Sequence, residues 1–356
     1  MVPWTNPVIA FLLRPASFLY GGVMRWRNRL YDRGVLTSHG VDAIVISVGN
    51  ITVGGTGKTP FVIHLADWLK GQGVPTAVLS RGYGRNTRGL VVVSDGRRLR
   101  SDAVRAGDEP VLLARRLGGV PVVVCGDRVR AGRFAVQEYA SRVLVLDDAF
   151  QHRRILRNLD IVLLNAERPF GNGRLLPGGP LREPLAGLAR ADLLVVTGVG
   201  ESPVSLDIPV FREHPPAAVL YVRRVPRAWI SLPDWNTLPL DRMQGKRVLA
   251  FAGIGNPASF ERTVSETGAA VVRCLGFRDH HPYGFRDVER IARAAVQMGV
   301  HAVVTTEKDA VRFTVPWPGG IPWVALRIGM EWIGSTDALV RALRALGLTV
   351  GSSVVY

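Results

Sequence analysis

Nothing in this chain constrains the fold as much as the run Gly49-Asn50-Ile51-Thr52-Val53-Gly54-Gly55-Thr56-Gly57-Lys58-Thr59-Pro60. It follows an apolar, β-branched stretch and opens a helical one, the strand–loop–helix setting that a Walker A loop requires. Its glycines let backbone N–H groups turn inward around phosphates at the positive end of the following helix. The spacing assigns nucleotide binding to Thr52, Val53, Gly54, Gly55, Thr56, Gly57, Lys58 and Thr59. Lys58 would reach the β- and γ-phosphates, and the Thr59 hydroxyl would ligate Mg²⁺. One departure stands out: the usual first glycine is Thr52. Two P-loop classes lack support. The lysine that partitioning and anion-pump ATPases carry before the double glycine is Val53 here, and Thr306-Glu307-Lys308-Asp309 does not space Lys and Asp as guanine readers do.

Around this loop the chain alternates short β-branched runs with helical stretches. Strands are expected over 43–48, 76–79, 120–125, 142–146, 160–164 and 192–197, and helices over 58–70, 109–117 and 131–138. Such alternation predicts an α/β unit with a mostly parallel sheet. Proline-rich stretches at 203–216 and 226–239 interrupt it. A second alternation starts at 247–252 and continues through strands near 270–275 and 302–305, which predicts a second, smaller α/β unit.

Three acidic clusters carry possible chemistry. Asp147-Asp148 ends the apolar run Val143-Leu144-Val145-Leu146, as a Walker B strand does, and could hold Mg²⁺ beside the P-loop. Gly107-Asp108-Glu109-Pro110 has two readings. Asp108 could be a helix N-cap with proline in the first turn, or a base taking a proton from an attacking hydroxyl. Asp279-His280-His281-Pro282-Tyr283 falls in a loop. Adjacent histidines of an extended segment cannot both face one site, so at most one is catalytic.

The 356 residues include 45 basic and 29 acidic ones, a net charge of +16. This field suits polyanions: phosphorylated small molecules, an anionic membrane face or nucleic acid. Nucleic acid is disfavoured, because the arginines are spread along the chain without interleaved aromatic platforms. Hydrophobic residues at 47% exclude dominant disorder. The two distant cysteines, Cys125 and Cys274, exclude a disulfide scaffold and a structural zinc site. No apolar run reaches the ~18–20 residues of a membrane span. The N-terminal segment, with Trp4, Phe18-Leu19-Tyr20, Trp26 and several arginines, reads as an interfacial helix lying on a membrane or as a helix packed on its own protein.

Together these segments resemble the tetraacyldisaccharide 4′-kinase family. The match runs through the P-loop, Leu79-Ser80-Arg81-Gly82-Tyr83-Gly84, Gly107–Pro110, Asp147-Asp148-Ala149-Phe150-Gln151-His152, Arg168-Pro169-Phe170-Gly171-Asn172-Gly173, Leu175-Leu176-Pro177, Gly179-Pro180-Leu181-Arg182-Glu183-Pro184, Asp279-His280 and Thr306–Val311. Thr52 fits too, since this family writes the loop TVGGTGKT. The resemblance implies an interfacial helix at 1–30, a P-loop kinase unit at 31–220 and a smaller α/β unit at 221–350. It implies transfer of the ATP γ-phosphate to the 4′-hydroxyl of a tetraacyl glucosamine disaccharide 1-phosphate at the cytoplasmic face of the inner membrane. No obligate protein partner is evident. Asp108, His280 and Lys58 match catalytic positions, and Thr59, Asp147, Asp148 and Glu183 match positions near Mg²⁺. Ser80, Arg81, Tyr83, Asn172 and Arg182 are expected to contact substrate. The alternative is a membrane-associated P-loop ATPase that switches conformation and phosphorylates no sugar.

Overall fold

Near-continuous apolar runs become strands here because a parallel sheet covered on both faces leaves no side for polar residues. The computed structural model describes residues 7–351 except 201–207, 209, 214 and 314; Trp4 and residues 203–207 of the first proline-rich stretch lie outside that range. The strands are β1 (Ile44–Asn50), β2 (Thr76–Ser80), β3 (Val91–Asp95), β4 (Pro121–Val124), β5 (Val143–Asp147), β6 (Leu159–Asn165), β7 (Leu193–Thr197), β8 (Ala218–Leu232), β9 (Thr237–Leu238), β10 (Arg247–Ala252), β11 (Ala270–Gly276), β12 (Ala302–Thr306) and β13 (Trp323–Ile333). The helices are α1 (Pro7–Leu12), α2 (Arg14–Asp32), α3 (Lys58–Gly71), α4 (Ala103–Ala106), α5 (Asp108–Arg116), α6 (Arg128–Tyr139), α7 (Val210–Glu213), α8 (Pro257–Glu266), α9 (Phe285–Gln297), α10 (Glu307–Ala310) and α11 (Asp337–Ala345).

All the strands join one sheet, in the order β11-β10-β12-β13-β8-β7-β6-β1-β5-β2-β4-β3, with β9 paired to β8. Pairing is parallel except at β13–β8, β3–β4 and β8–β9. Alternation along β1 decides the layers. Ile46 and Val48 point to the face covered by Phe61, Leu65 and Leu69 of α3, whereas Val45 points to the face covered by Val129, Ala131 and Ala135 of α6. From β1 the chain passes through the P-loop and α3 to β2 on one side, and β6 returns on the other side of β1. Such a reversal opens a crevice beyond the carboxyl ends of the strands, where ligands bind.

The second α/β alternation does not follow a linker. The expected change of unit near residue 221 falls inside β8, a strand of 15 residues that runs antiparallel to the 11-residue β13. Pro226 sits within β8 because the register shifts there: Arg327 pairs with Ala228 but Ile328 with Pro226, leaving Arg227 as the extra residue of a bulge. A bulge is one of the few places where a strand tolerates the missing proline N–H. Beyond it, β10, β11 and β12 pack between two apolar clusters, one with Val288, Ile291 and Ala295 of α9 and one with Phe260 and Val264 of α8. The chain then returns: Leu339, Val340 and Leu343 of α11 join the α3-side core of the N-terminal half.

Leu343 is fully buried there. Leu343→Ala is expected to destabilise the protein by about 2–5 kcal/mol, as core truncations do. Denaturant unfolding followed by tryptophan fluorescence measures this, and the lost stability should appear in the N-terminal half although the residue lies near the end of the chain.

Candidate active site

The P-loop is held from three sides. A Cβ on Gly49 would lie 2.5 Å from Phe150 Cβ and 2.7 Å from its nitrogen, so only glycine allows the end of β1 to meet the segment after β5. Thr52, where a glycine is usual, is buried and bridges Leu181, and the Val53 N–H donates to the Pro180 carbonyl at 2.8 Å. Asn50 Nδ2 donates to Thr56 Oγ1 (3.0 Å), and Thr197 Oγ1 donates to the Thr56 carbonyl (2.9 Å). Gly54 and Gly55 remain exposed at the tip. Gly57, at φ +87°, adopts the left-handed turn that opens α3 at Lys58 and Thr59.

Beside the loop, β5 delivers its two carboxylates to different environments. Asp148 is paired: Arg182 Nη1 lies 2.7 and 2.8 Å from its two oxygens, and Lys58 Nζ lies 3.6 Å from Oδ1. Burial opposes ionisation of Asp148, but Lys58 and Arg182 outweigh it and hold the carboxyl below its usual range. The same burial lowers the Lys58 pKa, with Asp148 opposing. Asp147 is almost fully buried; Oδ2 accepts from Ser80 Oγ at 3.2 Å, while Oδ1 has no partner among the described residues. Burial, then the charges of Glu109 and Asp148, push its pKa well above the ordinary aspartate range. A buried, orphaned carboxylate oxygen beside an anion-binding loop is the donor a cation would satisfy.

Asp108 does not cap its helix, since Gly107 (φ +95°) takes the N-cap position and Asp108 is the first residue of α5. Its Oδ1 accepts from the Glu109 N–H at 2.9 Å. Its Oδ2 meets His280 Nδ1 at 2.9 Å and accepts from Arg312 Nε at 2.6 Å, with Arg312 Nη2 at an ion-pair distance of 2.5 Å. Aspartate and histidine thus meet across 172 residues of sequence. His280 adopts φ +59°, a conformation uncommon outside glycine, which turns its ring to Asp108. His281 faces away and bonds Asp287 Oδ2 (2.9 Å) in the first turn of α9, so the two histidines part company. Desolvation opposes ionisation of Asp108, but the His280 hydrogen bond and the Arg312 and Lys308 charges overcome it, and the pKa is lowered far below the usual value. Glu109 pairs with Lys308 Nζ (3.0 Å) and acts electrostatically on both Lys58 and Asp147, which puts the Asp108 cluster and the P-loop in one crevice.

The remaining expected residues divide. Ser80 touches Asp147, and Arg182 touches Asp148. Tyr83, exposed, places its ring 5.4 Å from that of His280, and Arg81 is exposed at the end of β2. Asn172 is used within its own loop: Nδ2 donates to the Gly178 carbonyl and Oδ1 accepts from the Arg174 N–H. Glu183 is fully buried, and its oxygens accept from Gln151 Nε2 (2.8 Å), Asn28 Nδ2 (3.0 Å) and Arg190 Nη2 (2.7 Å), so it ties α2 to the core. Arg312 and Lys308 escaped the sequence reading, although both follow Thr306-Glu307; a buried arginine gives no local signal. Arg128 escaped it too, buried at the start of α6 with Nε unpartnered among the described residues and its pKa lowered by burial to about 10.

The sequence profile of LpxK, tetraacyldisaccharide-1-P 4′-kinase, matches residues 9–347. The chain belongs to this family. A tetraacyldisaccharide 4′-kinase of Syntrophus aciditrophicus is 42% identical over 343 residues, covering 90% of this chain and 89% of the relative. One from Anaeromyxobacter sp. (strain Fw109-5) is 42% identical over 346 residues, covering 95% and 93%. The crystal structure of an "apo" form of LpxK from Aquifex aeolicus in complex with ATP superposes with a TM-score of 0.77 at 32% identity, covering 95% of this chain and 99% of that one. Family membership makes this chain a kinase and does not favour the alternative of a switch ATPase.

In this kinase the raised Asp147 pKa gives a pH-dependent stability with a definite sign. The folded state holds a proton that the unfolded state has already released, so stability falls as pH rises from the ordinary aspartate range toward and through the raised value. Asp147→Asn removes the titration. The melting temperature of the nucleotide-free wild type is therefore expected to fall more between pH 5.5 and 8 than that of the variant; equal falls would show that Asp147 ionises freely.

Proposed function

We propose that this chain transfers the γ-phosphoryl group of ATP to the 4′-hydroxyl of a tetraacylated glucosamine disaccharide 1-phosphate, the step that makes a 1,4′-bisphosphorylated lipid A precursor. The observation that carries this reading is the contact of Asp108 with His280, beside a P-loop, in a chain of this family. The loop amides and Lys58 receive the ATP phosphates, Lys58 exchanging Asp148 for phosphate oxygens. Asp108 Oδ1 aligns the 4′-hydroxyl and takes its proton as the new O–P bond forms and the bond from the γ-phosphorus to the bridging oxygen of ADP breaks. His280, on the other carboxylate oxygen, keeps Asp108 oriented.

Mg²⁺ fits the donor set. Thr59, the orphaned oxygen of Asp147, and Asp148 once Lys58 leaves it would hold the ion. Among the described residues no group of three or more His, Cys, Asp or Glu side chains could hold a metal unaided. Mg²⁺ in kinases takes few protein ligands, completing its octahedron with phosphate and water. When bound it neutralises charge on the β- and γ-phosphates.

The enzyme attaches peripherally to the cytoplasmic face of the inner membrane. Among the described residues no helix is long and apolar enough to cross a membrane. On α2, Phe18, Leu19, Val23 and Trp26 are 59–74% exposed, and Val8, Phe11 and Leu12 of α1 are exposed as well. Each large side chain gains roughly 1.5–3 kcal/mol on leaving water, so a few suffice for reversible attachment. Arg25 and Arg29 flank this face and suit anionic headgroups. The acyl chains of the substrate then stay in the bilayer while its sugar reaches the crevice. No protein partner is invoked, and nucleic acid is not a ligand on this reading.

Two experiments test this. With [γ-³²P]ATP and the tetraacyl disaccharide 1-phosphate in micelles, the wild type should yield a labelled bisphosphorylated lipid. Asp108→Ala should lower kcat by about 10²-fold or more with KM for ATP little changed; release of inorganic phosphate alone would instead identify a switch ATPase. The triple change Phe18→Ser, Leu19→Ser and Val23→Ser should reduce flotation with anionic vesicles and raise KM for the lipid but not for ATP. Equal rises in both constants would make α2 purely structural.

A further inference from the structure

The Asp108 carboxylate is held asymmetrically. A guanidinium usually meets a carboxylate as a fork, one N–H to each oxygen, which is the stronger geometry. Here Arg312 places both Nε (2.6 Å) and Nη2 (2.5 Å) on Oδ2, the oxygen that also receives His280 Nδ1 at 2.9 Å. Oδ1 is left with the Glu109 N–H alone and keeps lone-pair capacity. Arg312 is itself fixed by Nη1, which donates to the Gly253 carbonyl and to Asp309 Oδ1, both at 2.9 Å. Arg312 and Asp108 are buried, at 6% and 7% exposure, so neither charge is tolerable without the other. A tie that only joined the two halves of the protein would gain by using both carboxylate oxygens. Loading one and sparing the other is what an oriented acceptor of a substrate proton requires.

We propose that Arg312 is a positioning residue for phosphoryl transfer, fixing Oδ1 of Asp108 as the oxygen that meets the acceptor hydroxyl and keeping that carboxylate ionised. This rests on the kinase reading given above. It goes further in assigning the work on Asp108 to a cation as well as to His280. The other charged and titratable groups facing the carboxylate are Glu109 on α5, Asp279 in the loop after β11, Lys308 on α10, and Asp309, which Arg312 neutralises. Lys308 Nζ lies 3.5 Å from His280 Nε2, and Tyr83 covers the same ring. With Arg312 and His280 both on Oδ2 the carboxylate is a weak base before reaction. It therefore accepts the proton late, as the O–P bond forms, which a loose transition state permits.

The test compares wild type, Arg312→Lys, Arg312→Gln and the double variant Arg312→Gln/Asp309→Asn, the last relieving the unpaired charge left on Asp309. Thermal unfolding establishes that each is folded. In Arg312→Gln and in the double variant, kcat at pH 7 should fall about tenfold or more while KM for ATP stays within about twofold, and the acid limb of the kcat–pH profile should move up by about one unit or more. Arg312→Lys, which retains a cation, should lie between. A second readout needs no turnover: the ¹³C resonance of the Asp108 carboxyl, identified by its loss in Asp108→Asn, should titrate at higher pH in the double variant than in wild type. A fall in kcat by the same factor at every pH, with the resonance unmoved, would reduce Arg312 to a structural tie and overturn the proposal. A wild type that labels no lipid would overturn the kinase reading alone, and the resonance would still decide for or against the role of Arg312.

Discussion

Between α5 and residues 306–312 lie three ion pairs, two buried and one, Glu109 with Lys308, half-buried. Asp108 meets Arg312, Glu109 meets Lys308, and Arg116 meets Glu307 at 2.7 Å, where Arg327 adds a second cation at 2.9 Å. Desolvating such groups offsets most of their attraction, so the seam contributes little net stability; removing one partner, by contrast, leaves a buried charge and costs about 3–5 kcal/mol. What the seam supplies is register. It allows one alignment of α5 against α10, and that alignment sets His280 against Asp108 and leaves Glu109 within electrostatic reach of Lys58. The frame for this is the hydrogen-bonded antiparallel β8–β13 ribbon, which joins two parallel arrays into one sheet.

The nucleotide side follows the same logic with a different partner in waiting. Lys58 and Arg182 converge on Asp148, and on the proposed reading both turn to phosphate when ATP binds. The carboxylate keeps them close to their working positions and prevents their mutual repulsion from opening the site. Asp147 is the counterpart: a buried acid with one oxygen unpartnered among the described residues, its pKa raised by burial and by the charges of Glu109 and Asp148. Ligand binding therefore exchanges one set of electrostatic partners for another and need not build a site from disordered parts, which is the preorganisation on which transition-state stabilisation depends.

What was legible in the sequence is what local rules govern. Apolar runs bounded by turn residues marked β1, β5, β6, β7 and β10, and the glycine spacing marked the P-loop, because each rests on contacts a few residues apart. Pro226 concealed β8, since strand membership there depends on a bulge opposite Arg327 and Ile328, a hundred residues away. The choice between His280 and His281 was closed to spacing arguments; a positive φ and the proximity of Asp287 decide it. Arg312 looked like one arginine among many in a strongly basic chain, and only its burial against Asp108 distinguishes it. Glu183 is a further case, for no local rule shows that it is buried and joined to Asn28, Gln151 and Arg190.

Those contacts of Glu183 connect the site to the N-terminal helix. Tyr20 donates to the Arg182 carbonyl at 2.6 Å, Arg27 to the Gln151 carbonyl, and Asn28 to Glu183, while the Gly178 N–H donates to Ser17 Oγ at 2.9 Å. The same short segment carries the Pro180 carbonyl that holds the P-loop at Val53 and the Arg182 guanidinium that holds Asp148. One face of α2 is thus bolted to the edge of the nucleotide site, and the opposite face presents Phe18, Leu19, Val23 and Trp26. A helix joined to the site through a mobile linker would let the crevice tumble relative to the lipid surface. Bolted as it is, docking of α2 on a membrane, as proposed above, would also fix the height and direction of the crevice above it. On that reading, a substrate whose acyl chains stay in the bilayer would meet Asp108 with its sugar already constrained, and the membrane would remove part of the entropic barrier to transfer before ATP is engaged.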